Sequence, residues 1–117
     1  MLILKPDAFE RMLIGEILKI YEPNIIEMHT DVFDERDCEI HYKEEVGKPH
    51  YDALVRHMKS SPSLFVLVDM HWGIARLLAI GVRDRWRSLS GPKNLIHSSD
   101  SEISDARETA YWFGGRK

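Results

Sequence analysis

The sequence alternates short apolar runs with longer segments in which apolar residues recur every three to four positions. The clearest run spans residues 64–68, and the clearest recurrence places Leu13, Ile17 and Tyr21 on one face of a helix. In chain order these segments make two strand–helix–strand passes. That order favours an α+β fold, because each amphipathic helix must cover the apolar face of the sheet. The sequence therefore predicts a ferredoxin-like β-α-β-β-α-β sandwich, an antiparallel sheet with helices on one face.

Four strands and five helices are predicted. The strands are expected at residues 1–4, 24–33, 64–70 and 95–96, and the helices at residues 9–21, 34–42, 51–59, 74–80 and 101–113. Pro23 ends the first helix because its ring cannot continue the helical hydrogen bonds. Ser99 and Glu102 have the spacing of a capping box, which indicates that the last helix starts in this run.

Length, charge and cysteine content exclude several classes of protein. The 117 residues suit a single domain, 1–117, and the net charge of −3 gives no general attraction to nucleic acid or anionic membranes. Cys38 is the only cysteine, so the chain has no internal disulfide and suits a reducing compartment. The run 64–68 is too short to span a bilayer. The N-terminal residues do not have the basic and apolar pattern of a leader peptide. We expect a cytoplasmic protein.

His97 is the strongest candidate for a catalytic residue. It lies in the segment NLIHSSDS, residues 94–101, between a short apolar stretch and a helix start, so its backbone is held on both sides. Glu108 follows two to three turns into the predicted helix, within reach of the imidazole. A nucleophile oriented by a carboxylate is the arrangement that covalent catalysis needs. The alternative is a structural histidine beside a helix start.

Motifs along the whole chain resemble those of the nucleoside diphosphate kinase family. They are KPDA at residues 5–8, IGEI at 14–17, HY at 41–42, KP at 48–49, NLIHSSDS at 94–101 and WF at 112–113. Several separate motifs in the family's order are more specific than one short match. The resemblance implies the ferredoxin-like fold. It also implies transfer of the γ-phosphoryl group of a nucleoside triphosphate to a nucleoside diphosphate, with a phosphohistidine intermediate and ping-pong kinetics.

The resemblance also implies the catalytic residues. His97 matches the histidine that carries the phosphoryl group, and Glu108 matches the glutamate that orients its ring. Lys5 matches the lysine that contacts the transferred phosphate, and Tyr42 the tyrosine beside that lysine. Without the resemblance, Lys5 would be a surface lysine at a strand end and Glu108 a solvated carboxylate on a helix.

Further residues are implied for the nucleotide and its metal ion. Asn94 matches the asparagine that recognises the sugar, and Ser99 is expected beside His97 as a supporting hydrogen-bonding group. His50 stands where the family has a phenylalanine that stacks on the base, with Leu54 forming the other side of the slot. Mg²⁺ is expected to be carried with the nucleotide phosphates. The protein supplies no direct ligand, and Asp100 holds at most a metal-bound water.

The chain departs from the family where a long loop of about a dozen residues is expected. Residues 81–83 run directly into residues 84–86, so the phosphate-contacting threonine of that loop has no counterpart. Arg76 is the best match for the first phosphate-binding arginine and Arg83 for the second, while Arg85 and Arg87 remain open alternatives. The basic turn 83–87 either compensates for the lost contacts or is simply solvated.

Three functions follow from these observations. The first is an active, trimmed nucleoside diphosphate kinase, and the second is a catalytically impaired nucleotide-binding regulator derived from the family. The third, a protein- or nucleic-acid-binding module using the basic turn, is opposed by the acidic balance. We expect nucleoside di- and triphosphates as partners, a homodimer through the strand edge 24–33 rather than a larger ring, and no membrane or nucleic-acid partner. A virus-encoded copy would act in the host cytoplasm.

Overall fold

The computed structural model describes residues 1–87 and 91–115. Its elements follow in the order β1 (Leu2–Leu4), α1 (Pro6–Glu10), α2 (Ile14–Tyr21), β2 (Ile25–Asp31), α3 (Glu35–His41), α4 (Tyr51–Lys59), β3 (Ser63–Val68), α5 (Trp72–Arg85), β4 (Ile96–Ser98) and α6 (Glu102–Phe113). No helix in these two ranges is long and apolar enough to cross a membrane.

The four strands form one antiparallel sheet in the order β2-β3-β1-β4. Ile3 on the inner strand β1 lies opposite Phe65 on β3 and His97 on β4. With α2 and α5 as the two crossover helices, the connectivity is β-α-β-β-α-β. The predicted α+β, ferredoxin-like fold is therefore confirmed.

Helices cover both faces of the sheet. Leu2 and Leu4 pack in one apolar cluster with residues of α2 and α5, such as Ile17 and Ala79. Ile3 points to the opposite face, as alternation along a strand requires, and packs in a second cluster with residues of α3, α4 and α6. The two crossover helices lie on one face of the sheet, as predicted. The prediction that all helices lie on that face is wrong, because α3, α4 and α6 cover the other one.

The helix predicted at residues 9–21 is two helices, α1 and α2. Pro6 occupies the first turn of α1, where its missing N–H costs nothing. Met12 then adopts a left-handed backbone with φ of 57°, and the N–H of Leu13 bonds the carbonyl of Ala8 at 2.9 Å. This is the pattern of a Schellman cap, which ends α1 without glycine. The periodicity of the apolar residues did not reveal this break.

The last helix starts two residues later than the capping box predicted. The N-cap of α6 is Ser101, whose hydroxyl accepts the N–H of Ser104 at 3.0 Å. Ser99 bonds the side chain of Glu108 instead, so the predicted pairing of Ser99 with Glu102 is wrong. In addition, β4 extends through Ser98, so His97 lies within a strand rather than after one.

Candidate active site

A cavity of about 450 Å³ opens between the end of β1, the start of α4, the end of α5 and the segment that precedes β4. Its lining consists of Lys5, Tyr42, Glu45, His50, Leu54, Arg83, Gly91, Pro92, Asn94 and His97. Every residue predicted to contact the nucleotide is in this set except Arg76. Sequence reasoning did not select Glu45, Gly91 or Pro92, which belong to no motif of recognisable chemistry.

His97 reaches this cavity because of its register on β4. It lies opposite Ile3, so its side chain points to the face that α3 and α6 cover. Its Nε2 lies 2.8 Å from Oε1 of Glu108, and Ser99 Oγ donates to the same oxygen at 2.8 Å. His97 is about one-fifth exposed, whereas Glu108 is buried. The structure thus brings together the predicted histidine, its carboxylate and the predicted supporting serine.

Glu108 is an ionised acceptor despite its burial. Burial alone would raise the pKa of Glu108, but the hydrogen bonds from His97 and Ser99 and the nearby imidazoles outweigh it, and the pKa lies below its ordinary value. An ionised carboxylate can only accept hydrogen bonds. His97 therefore donates through Nε2, which leaves the lone pair of Nδ1 available on the other side of the ring.

A strained turn precedes β4. Leu95 has a φ of 70°, and the N–H of Ile96 bonds the carbonyl of Asn94 at 2.8 Å, which makes a γ-turn centred on Leu95. Asp7 holds this turn, because its Oδ2 accepts the N–H of Leu95 at 2.9 Å. His57 donates to Oδ1 of the same carboxylate at 2.9 Å. Backbone strain of this kind persists only where neighbouring groups fix it.

Asp7 and His57 were not selected from the sequence as site residues. Burial alone would raise the pKa of Asp7, yet the hydrogen bonds from His57 and the Leu95 backbone lower it below its ordinary value. The KPDA motif contains Asp7, so the motif was the available signal. His57 carries none, since its neighbours in sequence read as a plain amphipathic helix.

Lys5 stands at the end of β1 with its ammonium group nearly buried. Its backbone N–H bonds the carbonyl of Leu95 at 2.8 Å, and its Nζ donates to the carbonyl of Pro92 at 3.1 Å. Burial lowers the pKa of Lys5 to about 8, with Arg83 lowering it further and Asp7 opposing the change. The ammonium is therefore a poorly solvated charge that an anion in the cavity would stabilise.

Among the described arginines, Arg83 is the one that lines the cavity. It extends from α5 to β4, where its Nε donates to the carbonyl of Ile96 at 3.2 Å and its Nη2 donates to the same oxygen. Burial lowers the pKa of Arg83, and Arg76 lowers it further. Two hydrogen bonds to one backbone oxygen fix this guanidinium next to the strand that carries His97.

The other predicted arginines lie elsewhere in the described part of the chain. Arg76 is exposed on α5, about two turns from Arg83, and donates to the carbonyl of Asp100 at 3.3 Å. Arg85 stacks over the ring of Trp86 at 4.6 Å, and neither Arg85 nor Arg87 belongs to the lining of the cavity. Arg76 and Arg83 sit on the same helix, which runs through the position where the sequence indicates that the family's long loop is missing.

Two buried polar atoms in the cavity wall have no hydrogen-bond partner among the residues that the structure describes. They are the hydroxyl of Tyr42 and Oδ1 of Asn94. Burial raises the pKa of Tyr42, so this hydroxyl is a donor throughout the physiological range. Unpaired buried polar groups cost free energy and are few in native proteins. A polar ligand that supplies an acceptor for Tyr42 and a donor for Asn94 would remove that cost.

The outer end of the cavity combines an imidazole, apolar side chains and one carboxylate. His50 is half exposed and donates from Nε2 to Oε2 of Glu45 at 2.6 Å, and Lys48 lies 3.4 Å from the same oxygen. Leu54 and Pro92 supply apolar walls. A flat, partly apolar group fits between such surfaces.

A smaller cavity of about 190 Å³ adjoins the first one through His97. Asp100 and Glu108 line it, together with His41, which sequence reasoning named only as part of a motif. Asp100 is exposed, and its carbonyl accepts from Arg76. The candidate metal-associated carboxylate is therefore next to the predicted nucleophile rather than inside the first cavity.

Comparisons with known proteins agree with this site. The family model described as "Nucleoside diphosphate kinase" matches residues 1–117. A nucleoside diphosphate kinase of Thermoanaerobacter sp. is 36% identical over 95% of this chain and 93% of that protein. The one of Streptomyces avermitilis is 35% identical over 131 residues, 99% of this chain and 96% of that protein.

Solved structures give the same answer. The nucleoside diphosphate kinase of Encephalitozoon cuniculi superposes with a TM-score of 0.87 at 25% identity, covering 97% of this chain and 86% of that one. That of Aquifex aeolicus gives a TM-score of 0.82 at 25% identity, with 98% and 94% covered. The chain therefore belongs to the nucleoside diphosphate kinase family, and it is a nucleotide-binding phosphotransferase.

Proposed function

We propose that the enzyme works by a ping-pong mechanism in which His97 carries the phosphoryl group from a nucleoside triphosphate to a nucleoside diphosphate. The observation that carries this proposal is the 2.8 Å bond between His97 Nε2 and the buried carboxylate of Glu108. It leaves Nδ1 as a free nucleophile on a ring that lines the cavity. A carboxylate that orients a nucleophilic imidazole is the arrangement that covalent catalysis requires.

In the first half-reaction, the lone pair of Nδ1 attacks the γ-phosphorus. The Nδ1–P bond forms, the bond from phosphorus to the β,γ-bridging oxygen breaks, and its electron pair leaves with the diphosphate. The proton stays on Nε2, so the ring becomes positively charged, and Glu108 stabilises that charge. The second half-reaction is the reverse, with a different diphosphate as the acceptor. A single site thus serves both substrates in turn.

The cations of the cavity would bind the phosphates. Lys5 and Arg83 line the cavity together with His97 and supply positive charge there, and both are fixed by bonds to backbone carbonyls. The hydroxyl of Tyr42 would donate to a phosphate oxygen, and Oδ1 of Asn94 would accept from a sugar hydroxyl, since neither atom has a partner within residues 1–87 and 91–115. Phosphoryl transfer needs mainly such positioning and charge.

The base would stack at the outer end of the cavity. His50 offers a ring face, and Leu54 and Pro92 offer apolar contact. These contacts recognise the face of a base and few of its edge atoms. We therefore infer a broad tolerance for different bases.

Magnesium would come with the nucleotide. Among the described residues that line the cavity, Glu45 is the one carboxylate, and it is already paired with His50 and Lys48. This donor set suits an ion held by phosphate oxygens better than one held in a protein cage. Asp100, beside His97 in the adjoining cavity, would hold one of its waters. When bound, the ion neutralises charge on the phosphates.

We also infer a homodimer in the cytoplasm. The strand β2 is an edge of the sheet, and its Ile26 and Met28 are exposed. An exposed strand edge favours pairing with a second copy. The buried free thiol of Cys38 suits a reducing compartment.

The test is the formation of a phosphoenzyme. With Mg²⁺ and γ-labelled ATP, the protein should acquire label that is stable in alkali, lost in acid and passed to an added diphosphate. His97→Ala should abolish both label and transfer and leave nucleotide affinity nearly unchanged, because it removes the nucleophile and leaves the binding groups. A matched control is His71→Asn, since asparagine preserves the helix cap that His71 makes.

Two outcomes would contradict the proposal. Near-normal turnover of His97→Ala would show that another group carries the phosphate. A wild type that binds nucleotides and never becomes labelled would instead favour the nucleotide-binding regulator.

A further inference from the structure

His41 packs directly against His97. It is the last residue of α3, it is 8% exposed, and it lines the smaller cavity. The two imidazole rings meet edge to face, with centroids 4.7 Å apart and planes at 73°. A ring nitrogen of each histidine and a carboxylate oxygen of Glu108 lie within 4.8 Å of one another. The proposed nucleophile therefore has a second imidazole as its neighbour.

Trp112 determines where His41 carries its proton. The indole Nε1 lies 3.0 Å from Nδ1 of His41. An indole N–H can only donate, so Nδ1 of His41 must accept and cannot be protonated. The proton is therefore on Nε2, which is buried and has no partner within the described residues. A buried donor without a partner is unfavourable, yet protonating Nδ1 would set two donors against each other.

The same contact argues against a metal ion at this place. His41, His97 and Glu108 have the spacing of a three-ligand site. A histidine that ligates a metal through one nitrogen normally donates a proton from the other. Because Trp112 makes Nδ1 an acceptor, binding a metal through Nε2 would need a fully deprotonated ring. The close approach of His41, His97 and Glu108 is therefore better explained by hydrogen bonding and a fixed His41 tautomer than by a bound metal ion.

We propose that His41 is a positioning residue for phosphoryl transfer: the N–H of Trp112 fixes its tautomer and its burial keeps the ring neutral, so that it packs against His97 and leaves the charge of Glu108 to His97 alone. This inference rests on the proposed function of His97. When phosphorylated, the His97 ring is positive and needs the carboxylate. A protonated His41 would repel that ring and compete for Glu108.

The charged groups around His41 come from three segments. They are His97 on β4, Glu108 and Arg107 on α6, and Lys5 after β1. Burial lowers the pKa of His41 to about 3, and His97, Lys5 and Arg107 lower it while Glu108 opposes them. His41 is therefore neutral at every pH at which the enzyme would be assayed.

The first experiment removes the indole N–H. Trp112→Phe keeps an aromatic ring beside Phe65, deletes the donor and leaves room for water near His41. Nδ1 can then be protonated without facing another donor. The rate of phosphoenzyme formation in single turnover, relative to wild type, should be near one at pH 8. It should fall by up to about tenfold towards pH 5.5, the limit reached if the entering water fully relieves the burial that lowers the pKa of His41.

Two further variants separate this effect from a packing defect. In Trp112→Phe with His41→Phe, the larger ring at position 41 takes up volume left by the indole, and no group can be protonated. Its relative rate should not change with pH. The matched control is Tyr111→Phe, on the same helix as Trp112. It removes the 2.6 Å hydrogen bond from the Tyr111 hydroxyl to Asp37, and its relative rate should also not change with pH.

Nitrogen NMR of the histidine rings gives an independent readout. In the wild type, His41 should carry its proton on Nε2 at every pH between about 5 and 8. A His41 signal that titrates in this range or shows the proton on Nδ1 would overturn the inference. So would a Trp112→Phe variant whose relative rate is the same at all pH values. If the wild type itself forms no acid-labile phosphoenzyme, the proposed function fails first.

Discussion

Replacing Glu108 by glutamine isolates the value of a negative charge beside His97. Glutamine keeps an oxygen that can accept from Nε2 of His97 and from Ser99, so the two 2.8 Å bonds can survive. Hydrogen bonds to a charged group are worth about 1.5–3 kcal/mol, against about 0.5–1.5 kcal/mol for neutral ones. The loss in the transition state, where the ring becomes positive, is therefore about 1–2 kcal/mol. At 1.36 kcal/mol for each factor of ten, phosphorylation should slow by about 5- to 30-fold.

The assay is single-turnover labelling of the enzyme by γ-labelled ATP with Mg²⁺, at saturating nucleotide. The nucleotide dissociation constant should change less than twofold, because Glu108 does not line the larger cavity. Glu102→Gln is the matched control, since it removes an exposed carboxylate from the first turn of the same helix. It should leave the rate within twofold of wild type.

Two results would refute this reasoning. A Glu108→Gln variant with the wild-type rate would mean that Glu108 orients nothing that the reaction needs. A rate that falls together with nucleotide affinity would mean that the substitution deforms the cavity, and far-ultraviolet circular dichroism would then show whether the fold is intact.

Two further predictions concern the charge in the cavity and the assembly. Because burial lowers the pKa of Lys5 to about 8, its positive charge is lost as the pH rises through that value. The affinity for a nucleoside diphosphate, measured by calorimetry, should then fall by up to about tenfold for each pH unit above 8. The control Lys93→Met removes an exposed lysine and should show the same pH dependence as the wild type. A constant affinity up to about pH 9.5 contradicts this role for Lys5. Light scattering at micromolar concentration should give a mass twice the 13.6 kDa of one chain, and a mass near six chains would contradict the dimer.

The fold was predictable because its signals are local. The stripe from Leu13 to Tyr21 gives α2, and the apolar run 64–68 gives β3. The break at Met12 was not predictable from periodicity, because a left-handed cap without glycine leaves no signature in the sequence. The covering of both faces was missed for a related reason. The sequence of a short helix such as α3 indicates which of its residues are apolar, but it does not indicate against which face of the sheet the helix packs.

The site was predictable where a motif specifies both residue and neighbour. His97, Glu108 and Ser99 fall together as expected, since β4 and α6 hold them in fixed register. The arginines were harder, because one helix offers several at similar spacing. The two lie on one face of α5, about two turns apart, and only their position along the helix decides that Arg83 bonds Ile96 in β4 while Arg76 bonds Asp100 after it.

His41 shows a second limit of sequence reasoning. Its role depends on a tautomer, and the tautomer depends on Trp112, which is 71 positions away in the chain. No periodicity or motif spacing encodes that relation. It becomes visible only when the donor and acceptor of the pair are assigned in three dimensions.

The long loop that this sequence lacks relative to the family resemblance is not needed to hold the groups on which our mechanism depends. His97 and Glu108 are on β4 and α6, and the turn before β4 is held by Asp7 from the opposite end of the chain. Arg83 donates two hydrogen bonds to the carbonyl of Ile96, one residue before His97. The position of its charge is therefore fixed relative to the nucleophile and does not depend on a neighbouring loop. The cost of trimming should therefore appear in phosphate affinity and in contacts between subunits. The orientation of the nucleophile should be preserved.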